Sequence, residues 1–99
     1  MILITPIEIS QTASGGTWSF NTPKFSGGDL RQIIIKPATA TTTYDLDITD
    51  DKDNTVYTKD GITGYFSDLI YLPLRGIYTV AVDTSSVNEA YTGRLLIEE

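Results

Sequence analysis

The sequence predicts an all-β fold: an antiparallel two-sheet β-sandwich, Ig-like or jelly-roll-like, with about eight short strands and one domain over residues 1–99. Three observations predict it. Apolar and polar residues alternate at period two in segment after segment, which places the apolar ones on one face of an extended strand. Clusters of Gly, Pro, Asp, Asn and Ser recur about every ten residues, the turn spacing of a sandwich or small barrel. No stretch carries the apolar period of an amphipathic helix, and the longest helix-compatible run, residues 86–91, is one turn at most.

The expected strands cover residues 2–10, 16–21, 30–36, 43–49, 55–59, 65–72, 76–83 and 91–98. Pro6 falls in the first, and a residue without an N–H confines that strand to a sheet edge or breaks it. In the second, Trp18 and Phe20 point the same way. The third contains Ile33, Ile34 and Ile35, apolar on both faces, as in a strand covered on both sides. In the fourth, Tyr44, Leu46 and Ile48 alternate with Asp45, Asp47 and Thr49, so one face meets a core and the other meets water. The Thr-rich run before it, residues 38–43, is a polar loop entering that strand. The fifth lies between a turn at 50–54 and a second turn at Asp60 and Gly61. Leu69, Ile70, Tyr71, Leu72, Pro73 and Leu74 close the sixth, again apolar on both faces. The seventh sets Tyr78, Val80 and Val82 against Thr79, Ala81 and Asp83, and the eighth sets Tyr91, Gly93, Leu95 and Ile97 against Thr92, Arg94 and Glu98.

Composition narrows the chemistry. With no Cys, disulfides and thiolate metal sites are excluded; with no His, the commonest general base and transition-metal ligand is missing. Seven basic residues are scattered singly in a chain of net charge −6, whereas phosphate binding needs them clustered, so neither nucleic acid nor an anionic membrane is an expected partner. The opening Met1, Ile2, Leu3, Ile4, Thr5, Pro6 has neither the positive region nor the apolar length of a signal peptide, and no segment reaches the roughly 20 apolar residues of a membrane span. The expectation is a complete short gene product without an export address.

The density of Asp45, Asp47, Asp50, Asp51, Asp53 and Asn54 is the one feature suggestive of a metal, because hard oxygen ligands hold calcium. A helix-loop-helix calcium loop needs Gly at its sixth position and Glu at its twelfth. Counting from Asp47 these are Lys52 and Thr58; counting from Asp51 they are Val56 and Ile62. The simpler reading is a hairpin turn whose Asp and Asn side chains bond to nearby backbone N–H groups. Asp45 and Asp47 share a strand face, but paired hydrolytic carboxylates need a cleft between them. No Ser-x-x-Lys, phosphate-binding loop or dinucleotide fingerprint is present. No catalytic, cofactor-binding or metal residues are therefore assigned.

Three stretches carry a family resemblance: Ile4, Thr5, Pro6, Ile7, Glu8, Ile9; then Gly15, Gly16, Thr17, Trp18, Ser19, Phe20; then residues 72–80, Leu-Pro-Leu-Arg-Gly-Ile-Tyr-Thr-Val, followed by Tyr91 and a closing strand. Through these, nearly the whole chain resembles the small β-sandwich virion proteins, capsid decoration or structural, of tailed bacteriophages. The element Gly-x-Tyr-x-Val before a final strand also occurs in extracellular sandwich domains attached to secreted enzymes. The phage resemblance implies a non-enzymatic structural protein of the particle, foremost a capsid decoration protein and next a tail or fibre component. It implies synthesis in the host cytoplasm, residence in the virion, and other virion proteins (major capsid or tail) as partners. A homo-oligomer is an open alternative. Three doubly apolar runs exceed what one thin core uses, so association is expected, with Ile2, Leu3, Ile4, Leu72 and Leu74 as contact residues. The rival reading is a carbohydrate-binding module that stacks sugars on Trp18 or surface tyrosines.

Overall fold

The computed structural model describes residues 3–84 and 87–99. Eight strands form: β1 Ile4–Ala13, β2 Thr17–Asn21, β3 Asp29–Pro37, β4 Thr43–Thr49, β5 Thr55–Thr63, β6 Phe66–Pro73, β7 Thr79–Thr84 and β8 Glu89–Glu98. They build two four-stranded antiparallel sheets in the orders β1-β8-β3-β6 and β2-β7-β4-β5. The pairs β1·β8, β2·β7, β3·β6 and β4·β5 are nested: the chain is one long hairpin with the 50–54 turn at its tip, and successive pairs fall in alternate sheets. That is the jelly-roll arrangement of the two architectures expected.

Alternation in sequence becomes burial in the sandwich. From the first sheet, Ile9, Leu30, Ile33, Ile35, Tyr91, Leu95 and Ile97 point inward; Trp18, Tyr44, Leu46, Ile48, Val80 and Val82 face them from the second. Tyr91 is the hinge of an aromatic cluster, its ring centroid 5.6 Å from Trp18 and 5.5 Å from Tyr44, the latter edge-on at 84°. Offset and edge-on pairs of this kind are favoured by the ring quadrupole. The Tyr44 hydroxyl donates to the carbonyl of Gly64 at 2.7 Å.

Several boundaries differ from the sequence expectation, each for a pairing reason. β1 runs on to Ala13 because β8 supplies partners as far as Glu89. Asp60 and Gly61 are a bulge within β5, not its end: the Gly61 N–H donates to Asp45 Oδ1 at 2.8 Å, and pairing resumes at Ile62 opposite Tyr44. β7 begins at Thr79, since Gly76 pairs with Phe25 across the preceding loop, and β8 begins at Glu89. Pro6 lies on β1, which is an edge strand. Of the run 86–91, Ser86 lies outside the described residues, and the part from Glu89 is strand.

Candidate docking face

The outer surfaces of the two sheets differ in chemistry. On the second sheet, Asp45 stands directly opposite Asp83, and Asp47 lies two residues along. Thr58 donates to Asp47 Oδ1 at 2.6 Å. These carboxylates sit on an open pleated surface, fit for water. At the hairpin tip, Asp50 Oδ1 accepts from the N–H groups of Lys52 and Asn54, both at 2.9 Å, and its other oxygen accepts from the Asn54 amide. Those donors hold the Asp50 carboxyl below its ordinary pKa. The tip is thus an Asp-stabilised turn, and among the described residues no group of three or more carboxylates is placed to share a metal ion.

The first sheet carries an apolar band. One cross-strand row reads Pro6, Leu96, Gln32, Leu69, the next reads Glu8, Arg94, Ile34, Ser67. On β6, Leu69 is 78% exposed and Tyr71 66%; Tyr65, just before it, is 60% exposed, and Leu3 and Ile4 at the opposite edge are 56% and 46% exposed. A shallow groove lined by Ile4, Arg31, Leu69, Ile70, Tyr71 and Glu98 crosses one end of this face. Its polar members are fixed: Arg31 bridges to Glu98 at 3.0 Å and lies over the Tyr71 ring, 5.6 Å from its centroid. Arg94 grips Glu8 with two nitrogens, at 2.7 and 2.9 Å, which lowers the Glu8 pKa and raises that of Arg94. Such ion pairs are solvent-screened and hold geometry more than they stabilise. An apolar centre with a polar rim is the anatomy of a protein-binding surface.

The structure distributes the five contact residues named from sequence unevenly. Leu3 and Ile4 are exposed at the β1 edge; Leu72 is half-buried on the inner face of β6; Leu74 is 5% exposed and belongs to this chain's own core. Leu74 presents no contact surface, because the chain turns inward after β6 and its N–H bonds to the Gly28 carbonyl. Ile2 lies outside the described residues. Leu69 and Tyr71, exposed on the outer face of β6, were not among those five; their period-two spacing was the signal, hidden because Ile70 and Leu72 are equally apolar. Trp18 is buried, as a lone Trp in a small β-fold usually is, so it offers no platform to sugars.

No protein-family model and no characterised protein matches the sequence. Solved structures are matched at low identity and low TM-score. The VP2 subviral particle of infectious bursal disease virus superposes with a TM-score of 0.46 at 12% identity, over 98% of this chain and 32% of the viral one. A Bacillus endospore appendage, from a family of disulfide-linked pili, gives 0.48 at 13% identity, over 95% of this chain and 87% of that one. A family two carbohydrate esterase from Cellvibrio japonicus gives 0.46 at 10%, covering 99% and 34%. The chain therefore spans about a third of the viral and esterase proteins. Likenesses this distant say nothing about activity, and the β-sandwich rests on the chain's own strand order.

Proposed function

We propose that the chain is a non-enzymatic structural protein of a bacteriophage particle, a capsid decoration or stabilising protein that docks on neighbouring virion subunits through the outer face of the β1-β8-β3-β6 sheet. The observation that carries this reading is the band of Ile4, Leu69 and Tyr71, exposed on a face where Arg31 pairs with Glu98 and Arg94 with Glu8. Covering a large apolar side chain is worth about 1.5–3 kcal/mol, and Leu69 and Tyr71 have most of that still to gain. The acidic face of the other sheet would stay toward water and keep a protein of high copy number soluble. Stabilisation of the shell follows mass action and lasts while the protein is bound.

The test is add-back to particles stripped of the protein. Leu69→Asp and Tyr71→Asp replace exposed side chains, so both variants keep the fold and lose occupancy; deletion of residues 1–5 also lowers occupancy. Full occupancy by all three refutes this docking face. The carbohydrate-binding alternative retains one supporting observation, the exposure of Tyr65 and Tyr71 on the same side of the molecule. It predicts glycan-induced changes in tyrosine absorbance while Trp18 emission stays constant; a silent glycan array removes it.

A further inference from the structure

We propose that the groove between Ser10 and Tyr65 on the outer face of the first sheet binds a short acidic glycan, with the Tyr65 ring stacked on a sugar face and Lys36 paired with a uronate carboxylate. The inference rests on the carbohydrate-binding alternative and gives it a site and a sugar class; Ile4, Leu69 and Tyr71 take no part in it. The site is a cross-strand row. Ser10 on β1 stands opposite Thr92 on β8, and Thr92 opposite Lys36 on β3. Tyr65 continues the row, one residue beyond the Ile35–Phe66 pair. At strand spacings of about 4.8 Å the row spans ~14 Å, a length for a short oligosaccharide rather than a single ring. It borders an open groove of about 460 Å³, in the size range of ligand sites. Half-buried Ile34 adds apolar surface beside the row. The groove lies toward the far end of the sheet from the docking band, Ser10 being about 20 Å along β1 from Ile4.

The side chains select the ligand. Ser10, Thr92, Lys36 and Tyr65 are all exposed, and among the described residues none of the four is hydrogen-bonded or ion-paired to another side chain. Together they offer hydroxyls that both donate and accept, one ammonium and one aromatic face. A sugar presents the complement, hydroxyls around its edge and an apolar ring face for the aromatic. Charge narrows the class. Three charged residues line the groove, Glu8, Arg94 and Lys36. Both Glu8 oxygens are taken by the Arg94 guanidinium, which leaves the Lys36 ammonium as the one charge there without a partner. A single positive charge fits a single carboxylate. It is too little for nucleic acid, which needs clustered cations and would meet a chain of net charge −6. An extended peptide has no strand edge to join, because β8 and β3 are interior strands whose backbone groups are used in ladders on both sides.

Titration calorimetry on the full chain tests the site with trisaccharides that carry one glucuronate, galacturonate or mannuronate, each beside its carboxyl-reduced neutral form. At least one acidic form binds, and at low salt it binds about 2- to 5-fold more tightly than its reduced form, the worth of one solvent-screened ion pair. K36Q removes that preference and leaves the affinity of the reduced form as it was. Y65A weakens both forms, and Y71A, in the docking band, weakens neither. All three positions are exposed, so the variants keep the fold, which circular dichroism checks. Equal affinity for the acidic and reduced forms, a preference that survives K36Q, or equal losses for Y65A and Y71A overturns the acidic-glycan site and leaves the carbohydrate reading standing. No binding of any of these sugars at millimolar concentration overturns both.

Discussion

Replacing Tyr44 with phenylalanine isolates one hydroxyl at the junction of the two halves of the fold. The Tyr44 ring is 1% exposed and packs edge-on against Tyr91. Its hydroxyl donates to the buried carbonyl of Gly64, and the Gly64 N–H donates to Thr42 at 2.9 Å. Gly64 sits at φ 71° where the chain leaves β5 for β6 and the opposite sheet, and a Cβ there would run into the Ala40 carbonyl oxygen. The hydroxyl thus pins a corner that only glycine can turn. Phenylalanine keeps the ring and its contacts, removes a bond worth roughly 1 kcal/mol net, and leaves a buried carbonyl unpaired at about 1–3 kcal/mol gross. The expected loss is about 1–2 kcal/mol, or roughly 4–16 °C in Tm for a domain of this size. Urea unfolding followed by far-ultraviolet circular dichroism and by Trp18 emission measures it. A Y44F protein within about 0.5 kcal/mol of the parent would refute the claim that this bond holds the corner, and an equal loss for Y44F and Y44A would refute the claim that the ring is packed separately, since Y44A should cost about 3–5 kcal/mol.

Leu46→Ala, at a fully buried position, should cost about 2–5 kcal/mol by the same denaturation assay. Gly76→Ala meets both φ 88° and the Asp51 carboxylate, with Oδ2 2.9 Å from the added carbon, and should lose about 1–2 kcal/mol of stability while Gly27→Ala, facing open space, loses less. Burial raises the hydroxyl pKa of Tyr44, Tyr57 and Tyr91 above the ordinary value near 10, with the Asp68 carboxylate adding to the effect at Tyr57. A folded pKa above the unfolded one means the folded chain binds more protons, so stability is intact below about pH 10 and falls as pH rises past it. Tyrosinate absorbance of these three should then appear together with unfolding. On the acid side, Asp50 and Glu8 have lowered pKa values, so their contributions hold above about pH 4 and fade below it; D50N should flatten part of that acid limb. Trp18 emission should be blue-shifted and shielded from acrylamide in the free protein; ready quenching would contradict its place in the core.

The strands with one clean apolar stripe were legible before any coordinates. Tyr44, Leu46 and Ile48 on β4, and Val80 and Val82 on β7, are buried as their alternation requires. So was the 50–54 turn, whose Asp50 bonds are of the kind the residue types favour. Runs apolar on both faces were not resolvable, because periodicity carries no sign when every position is apolar. Ile33 and Ile35 face the core while Ile34 faces outward; Leu69 and Tyr71 face outward while Ile70 and Leu72 face in; Leu74 passes out of the strand and into the core. The exposed apolar band was therefore half visible: its N-terminal margin could be named, and its β6 half could not be separated from the core.

By itself the sequence determined the secondary structure and the parity of most strands, because side chains one residue apart on an extended chain must point to opposite faces. It also determined the chemistry available, since a chain without His or Cys cannot use either. Only the tertiary structure decided which strands pair, and hence that Ile4 lies beside Glu98 and that β6 is an edge. The physical reason is that an apolar strand face is satisfied by any opposing apolar face, so local pattern leaves partner choice open. Closing the long hairpin into two sheets settles that choice, and with it which greasy residues remain in the open.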